Sequence, residues 1–310
     1  MKYGYCDVHF WRPTGLGNRL FSWARAKVFS KLSGNKMLAP IWGHIRGGSI
    51  IRGGINYNNA LRKILLFDNF KSLKDEIGGI KKFLIKEKYK ACKVKTIQEA
   101  LGIVNYNLKP QIITFVGHTQ HNFEDLVPYK ELINEELKKI AKTKWINKAE
   151  EFNTAFIGIN VRMGRDFKSV NSINEFKTNN TEFLRTPPIW YIDCLRKIRE
   201  IIGEELPEVI ISDGTKMDLQ KILEESNVSL PDSKSAISDL LILSKAQILI
   251  GSGRSSFSAW ASFLGKMPTV TIPGSNLQSF KISTDLSTHY VGEFNPDNPS
   301  LDFIEAIIHY

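Results

Sequence analysis

The stretch AFIGINVRMGRD, residues 155–166, decides the fold, because an apolar run passes directly into two arginines, a glycine and a carboxylate. Its β-branched residues predict a buried strand over 155–161. Three further apolar runs, over 209–211, 248–250 and 269–272, predict the next strands. The helices predicted around them are 190–202, 217–224, 237–245 and 257–264. Strands that alternate with helices favour a parallel sheet with its ligand site at the carboxyl ends of the strands.

The N-terminal half opens with the same kind of unit. A short strand is predicted over 3–10, and it is followed by the turn Gly15-Leu-Gly-Asn18. Apolar residues then recur every four positions until Ser33-Gly34-Asn35 ends the helix. Another apolar strand is predicted over 110–116. A strand, a glycine turn and a helix form the first unit of an α/β fold.

The length of the chain predicts two domains. Its 310 residues suffice for two cores of ~100 to 200 residues each, and we expect two lobes that face each other across a cleft. The composition changes after a lysine-rich helical stretch over 129–148. We therefore predict domains over 1–150 and 151–295, with a C-terminal helix over 296–310 that can pack back on the N-terminal domain.

Cysteine usage and hydropathy predict a cytoplasmic protein. Cys6, Cys92 and Cys194 are odd in number, far apart and without a CxxC pair. We expect reduced, mostly buried thiols rather than disulfides or a metal site. The N-terminus has no apolar run long enough for a signal peptide, and no stretch reaches the ~18 apolar residues of a membrane-spanning helix.

The formal net charge of +10 favours an anionic partner. Between Lys71 and Lys95 stand nine lysines and only three acidic residues, with Ile77, Ile80, Leu84 and Ile85 at partly helical spacing. One interpretation is the solvated face of a helix, and the other is a patch that rests on anionic lipid headgroups at the inner face of the cytoplasmic membrane. Nothing resembles a zinc finger or a basic stripe rich in aromatic residues, which disfavours nucleic acid.

Two polar segments follow predicted strands of the C-terminal half. Arg162 and Arg165, with Gly164 making room, suit a pyrophosphate, because a guanidinium can grip two phosphate oxygens in one plane. The alternative is a structural salt bridge between arginine and aspartate. Ser212 and Asp213 follow the next strand, where the carboxylate can accept hydrogen bonds from a base or a ribose. The alternative for Asp213 is a helix N-cap.

A third segment, Gly251-Ser-Gly-Arg254-Ser255-Ser256-Phe257, precedes a predicted helix and has the character of a phosphate cradle. It is not a Walker loop, and Gly15-Leu-Gly-Asn18 lacks the third glycine of a dinucleotide fingerprint. His118 and His121 have no third metal ligand nearby, so a metal site is disfavoured. No Gly-x-Ser-x-Gly elbow indicates a serine hydrolase.

Taken in order, these segments resemble the bacterial alpha-1,2-fucosyltransferase family, within the superfamily of GDP-fucose-dependent fucosyltransferases. The resemblance spans most of the chain. Its marks are Gly15-Leu-Gly-Asn-Arg-Leu-Phe21, Gly117-His-Thr-Gln-His-Asn-Phe123, Asn160-Val-Arg-Met-Gly164 with Asp166, Pro188-Ile-Trp-Tyr191, Ser212-Asp213, and Asp239 with Ser244 leading to Ser255-Ser-Phe-Ser-Ala-Trp260.

The resemblance implies a GT-B fold with an N-terminal acceptor-side domain and a C-terminal donor-binding domain. It also implies an inverting transfer of fucose from GDP-fucose that needs no metal or other cofactor. The acceptor would be a sugar hydroxyl of an oligosaccharide or a lipid-linked surface glycan. A transferase of the same fold with another nucleotide sugar is one alternative, and a non-catalytic polyanion- or glycan-binding protein is another.

By the family pattern, Arg162 holds the diphosphate and Asp213 contacts the nucleoside. Asp166 is the best candidate base because it stands close to Arg162 on the same loop, and the alternative is a transfer without a dedicated base. The predicted acceptor contacts are His118 and Gln120. The predicted donor-binding residues are Gly17, Asn18, Asn160, Gly164, Arg165, Ser212, Asp213, Arg254, Ser255, Ser256 and Phe257.

The chain departs from the family pattern at three positions. The family usually has histidine where Asn160 stands, a second arginine where Met163 stands, and asparagine where Arg254 stands. Arg165 or Arg254 could restore the positive charge that Met163 lacks.

Overall fold

The structure is a computed structural model that describes residues 4–10, 14–42, 69–106, 109–117, 121–164, 168–170, 172–178, 184–225, 227–232, 235–275, 277–285 and 287–308. The described residues up to Ile146 form one compact unit, and those from Asn147 onwards form another. Each unit contains its own parallel sheet.

The first unit is built around a four-stranded sheet in the order β2-β1-β4-β3. All its neighbouring strands are parallel, and β1 pairs with β4 from Tyr5 opposite Ile112 to Val8 opposite Phe115. Its elements are β1 (Tyr5–Val8), α1 (Leu16–Ser33), β2 (Lys36–Met37), α2 (Gly79–Lys88), β3 (Ala91–Val94), α3 (Ile97–Tyr106), β4 (Ile112–Phe115) and α4 (Lys130–Ile140). The next helix, α5 (Thr143–Glu150), begins in the first unit and ends in the second.

Helix α1 begins and ends at glycines. Gly15 is extended at the N-cap, and Gly34 takes the left-handed conformation at φ 72° beyond the last turn, where a residue with Cβ would be strained. The predicted helix end is confirmed. The predicted glycine turn is shorter than expected, because Gly17 and Asn18 already lie in the first turn of α1. Most of the helix is buried, so its charged residues need partners within the unit.

The second unit contains a six-stranded parallel sheet in the order β10-β9-β8-β5-β6-β7. The four strands predicted here are confirmed, and the sequence analysis missed the short β7 and β10. The elements are β5 (Ile157–Val161), α6 (Ile173–Thr178), α7 (Pro188–Ile202), β6 (Glu208–Ser212), α8 (Gln220–Leu223), β7 (Val228–Ser229), α9 (Ala236–Leu243), β8 (Ile248–Ile250), α10 (Ser256–Gly265), β9 (Thr269–Thr271), β10 (Val291–Glu293) and α11 (Leu301–Ile308).

Two helices of the second unit differ from the sequence-based expectation. The helix predicted over 217–224 is regular only over α8, since residues 216–219 form turns. The C-terminal helix α11 packs in the second unit against α7, and its buried Phe303 stands with its ring centroid 4.8 Å from that of Phe294. This helix therefore contributes to the core of the second unit. It begins at Leu301, later than the predicted position 296, and its predicted packing on the N-terminal domain stays a prediction.

The central strands of the second unit are buried on both sides. Every residue of β5 is buried, and Gly158 lets α9 and the following turn approach closely, because a Cβ there would stand 2.8 Å from Cβ of Ala246. This arrangement places the polar residues that follow β5 at a fixed edge of the sheet.

The three cysteines are free thiols, as predicted. Cys6 and Cys194 are buried, and burial raises the pKa of both thiols, while Cys92 is half-buried. Among the described residues, no helix is both long and apolar enough to cross a membrane.

Candidate anion-binding site at the strand ends of the second unit

The candidate site lies where β8, β5 and β6 end. These strands are direct neighbours in the sheet and run parallel, so the residues that follow them meet at one edge. The segments concerned are residues 162–164 after β5, 213–214 after β6 and 251–255 after β8. The structure therefore brings together three of the polar segments that the sequence analysis selected.

Asn160 links the three strand ends through its side chain. The side chain is buried, and its Oδ1 accepts hydrogen bonds from Ser258 Oγ at 2.9 Å and Ser255 Oγ at 3.3 Å. Its Nδ2 donates to the carbonyl of Ile211 at 3.4 Å. Asn160 was predicted to bind the donor, and the structure shows it joining β6 to the first turn of α10.

Ser252 and Tyr191 fix the backbone at the end of β5. Ser252 Oγ lies 2.9 Å from the backbone nitrogen of Arg162, which donates to it, and 3.0 Å from the carbonyl oxygen of Asn160. The hydroxyl of Tyr191, on α7, is 2.7 Å from Ser252 Oγ. Burial raises the pKa of Tyr191, so this hydroxyl stays protonated.

Neither Ser252 nor Tyr191 was assigned a role from the sequence. Tyr191 lies in a helical run and Ser252 in a glycine loop, and only the three-dimensional fold brings them together. The signals available were the place of Tyr191 in one of the segments that carry the resemblance and the position of Ser252 two residues beyond an apolar strand.

Arg162 forms an ion pair with Asp213. Nη1 of Arg162 stands 2.9 Å from Oδ2 of Asp213, and the Arg162 side chain is 31% exposed against 13% for Asp213. The other oxygen of Asp213 accepts the backbone N–H of Met163 at 2.7 Å. Asp213 is not a helix N-cap, because α8 begins only at Gln220. The arginine–aspartate salt bridge considered from the sequence is present, and it joins two strand ends.

The N-terminus of α10 follows the β8 loop. Ser255 is the N-cap, and its Oγ accepts from the backbone nitrogen of Ser258 while donating to Asn160. Ser256 and Phe257 occupy the first turn, both half-buried, and the amides of a first helical turn have no partner within the helix. Arg254 is exposed and takes a left-handed conformation at φ 53°. The loop thus directs the positive end of a helix dipole towards the strand ends.

The glycines of the site allow close packing. A Cβ at Gly253 would stand 2.8 Å from Ser275 Cβ and 2.9 Å from Phe176 Cζ, and a Cβ at Gly214 would stand 2.7 Å from Met163 Cβ. The backbone of Gly214 is further held by Ser212, whose Oγ accepts its N–H at 2.9 Å. Larger residues at either glycine would displace the loops that carry the polar groups.

A second guanidinium lies beside the loop after β5. Nη2 of Arg185 donates to the carbonyl of Gly164 at 3.2 Å, and Nη1 donates to Ser169. Sequence reasoning named Arg165 and Arg254 as replacements for the charge missing at Met163, and it did not consider Arg185. Met163 itself is buried against the Gly214 turn.

The other predicted site residues are placed elsewhere or are not described. Gly17 and Asn18 belong to the first unit, on α1. Arg165, Asp166, His118 and Gln120 lie outside the described residues. Within the described ranges, no group of three or more His, Cys, Asp or Glu side chains is arranged to hold a metal ion.

An arginine, a carboxylate and a helix N-terminus thus meet at neighbouring strand ends of a parallel sheet, which is the edge where open α/β folds place their ligands. Solved structures with a similar fold include NodZ alpha-1,6-fucosyltransferase soaked with GDP-fucose. It is 14% identical with a TM-score of 0.50, over 90% of this chain and 97% of that one. A mutant of Arabidopsis thaliana FUT1 in complex with GDP is 13% identical with a TM-score of 0.50, over 87% of this chain and 71% of that one.

The likeness to these solved structures confirms the predicted fold class, α/β of the GT-B type. The first is described as an alpha-1,6-fucosyltransferase soaked with GDP-fucose and the second as a complex with GDP, and the likeness to this chain is one of fold. No protein-family model matches the sequence, and no curated protein matches it either.

Proposed function

We propose that this chain is an inverting, metal-independent glycosyltransferase that transfers fucose from GDP-fucose to a sugar hydroxyl of a surface glycan, in an alpha-1,2 linkage. The observation that supports this best is the meeting of Arg162, Asp213 and the α10 N-terminus at three adjacent strand ends. One of the solved structures of similar fold was soaked with GDP-fucose, and another holds GDP.

The proposed chemistry is a single displacement. An acceptor hydroxyl attacks the anomeric carbon, the bond from that carbon to the diphosphate breaks, and an oxocarbenium-like transition state lies between. Negative charge grows on the leaving diphosphate, and fixed donors aimed at it supply the largest catalytic contribution. The guanidinium of Arg162 and the first-turn amides of α10 are the donors proposed for this role.

The ion pair with Asp213 is compatible with phosphate binding by Arg162. A guanidinium has five N–H donors, and Arg162 forms its ion pair with Asp213 through Nη1. The contact holds the side chain in one orientation, so less conformational entropy is lost when the diphosphate binds. Asp213 remains the proposed nucleoside contact, since each of its oxygens can accept more than one hydrogen bond.

Asp166 is the proposed base that takes the proton of the acceptor hydroxyl. We expect Asp166→Asn to lower the rate by roughly 10²-fold. This loss is at the lower end of the range for a positioned base, because an oxocarbenium-like centre needs only a weak nucleophile. The pH–rate profile should lose its acidic limb, since asparagine does not titrate. A variant whose profile overlays that of the parent protein would remove Asp166 from the mechanism.

The donor is tested with a panel of nucleotide sugars in a thermal-shift assay that is run both without and with EDTA. A ligand at a hundred times its Kd stabilises the native state by about 2.7 kcal/mol, so GDP-fucose and GDP should raise the melting temperature while UDP- and ADP-sugars should not. An unchanged melting temperature with every guanosine nucleotide would contradict the proposal, and a shift that EDTA abolishes would contradict metal independence.

A transferase of the same fold with another nucleotide sugar is the second candidate. The observation in its favour is Met163, which is apolar and buried where the family has an arginine. The same panel separates the two candidates, because this one predicts a shift with a different sugar nucleotide.

A further inference from the structure

Helix α2 (Gly79–Lys88) turns large apolar side chains outward. Ile80 is 81% exposed, Phe83 63% and Leu84 59%, and we call these three residues the α2 patch. They lie at i, i+3 and i+4, so they are neighbours on one face of the helix. Ile85 is the only buried residue of α2. Scattered exposed apolar residues are normal, but three large ones side by side indicate a contact surface.

The inward face of α2 is held mainly by charge. Lys82 and Lys86 form ion pairs with the buried carboxylate of Asp7 on β1, and Lys82 also donates to the carbonyl of Ala39. These contacts fix which side of the helix faces the sheet. The outward direction of the α2 patch is therefore set by the buried aspartate, whose charge requires partners.

Positive charge surrounds the α2 patch. Of the nine lysines between Lys71 and Lys95, the seven not paired with Asp7 are exposed. Lys81 lies three residues before Leu84 and Lys88 lies four residues beyond it, so both flank the patch on the helix surface. One acidic residue, Glu87, shares this face and is exposed.

We propose that the α2 patch and its flanking lysines form a docking surface for an anionic lipid bilayer. Apolar side chains on one helical face, bordered by lysines, are the composition of helices that lie flat in a membrane interface. The apolar residues enter the boundary between headgroups and acyl chains, and the lysines contact anionic headgroups. The proposal does not depend on the donor or on the transfer reaction.

The test is co-sedimentation of the full chain with vesicles of phosphatidylcholine alone, or mixed with phosphatidylserine. We expect binding to the mixed vesicles only, weakened by salt. The triple variant, in which serine replaces all three patch residues (Ile80→Ser, Phe83→Ser and Leu84→Ser), should weaken binding by more than about tenfold. Glu87→Gln should strengthen binding by up to about fivefold, because removing one negative charge near an anionic surface changes the affinity by about that factor.

Met217→Ser is the matched control, because Met217 is an 84% exposed apolar side chain in the second unit. It should bind the mixed vesicles as the parent protein does. Since all these side chains are exposed, the variants should keep the parent melting temperature.

Binding that is unchanged in the triple variant would mean that net charge alone attracts the protein to lipid, and it would overturn the proposal. Equal binding to both kinds of vesicle would also overturn it. So would a parent protein that is oligomeric without lipid and becomes monomeric in the triple variant by analytical ultracentrifugation, because a second copy of the chain would then cover the patch.

Discussion

Arg162→Ala is expected to lower the rate of fucosyl transfer by roughly 10² to 10³, the typical loss when one donor to a developing charge is deleted. The fold should survive, because Asp213 keeps the backbone N–H of Met163 as a partner and the Arg162 side chain is already 31% exposed. The measurement is release of GDP from GDP-fucose with a sugar acceptor, together with the melting temperature.

Two further variants sharpen the test of Arg162. Arg162→Lys retains the charge but loses the planar fork, so it should fall between the parent protein and the alanine variant. Arg196→Ala is the matched control, since Arg196 is paired with Glu225 at an exposed position of α7 and should keep full activity. Activity of Arg162→Ala within about tenfold of the parent protein would refute the proposed role.

Asp125→Ala is expected to destabilise the first unit by about 3–5 kcal/mol, because it leaves a buried arginine without its counter-ion. Arg25 Nε donates to both oxygens of Asp125 at 2.9 and 3.0 Å, and both side chains are almost fully buried. Asp125 also accepts the backbone N–H of Ile97 at 3.0 Å, at the start of α3. One carboxylate therefore joins α1 to the N-terminus of α3.

Hydrogen–deuterium exchange measures this loss locally, which matters because a chain with two units need not unfold in one step. Faster exchange should appear in α1 and α3 but not in β5 or α10. The matched control is Glu151→Ala, which breaks the exposed pair of Lys148 and Glu151 and should cost about 0.5 kcal/mol or less. A loss for Asp125→Ala no larger than that of the control would show that the pair contributes little.

Four strands of the second unit could be predicted because each of them is a run of mostly apolar, β-branched residues. Residues 157–161 are apolar except for Asn160, and a buried parallel strand shows such a nearly continuous apolar run. Strands β7 and β10 were missed because each is short and contains a single large apolar residue, Val228 and Val291, so no apolar run marks them. The arginine–aspartate pair was considered from the sequence, but nothing in the sequence indicated that Arg162 and Asp213 would be the partners.

The hydrogen bonds of the site depend on pairing across distant segments. Asn160 lies on β5, Tyr191 lies on α7, and Ser252 follows β8. The sequence does not reveal which hydroxyl of such distant segments contacts which carbonyl. The periodicity of the sequence also could not show which face of α2 packs against the sheet. Ile80, Leu84 and Ile85 fit helical spacing, yet only the partners of Asp7 decide that Ile85 faces inward and the other two face outward.

The inward-facing hydroxyl of Ser255 affects which substitutions the start of α10 can accept during evolution. Because that hydroxyl is engaged by Asn160 and by its own helix, the donors at the first turn of α10 are its main-chain amides together with the hydroxyl of Ser256. Main-chain amides are common to nearly every amino acid, so substitutions can accumulate around them while the architecture persists.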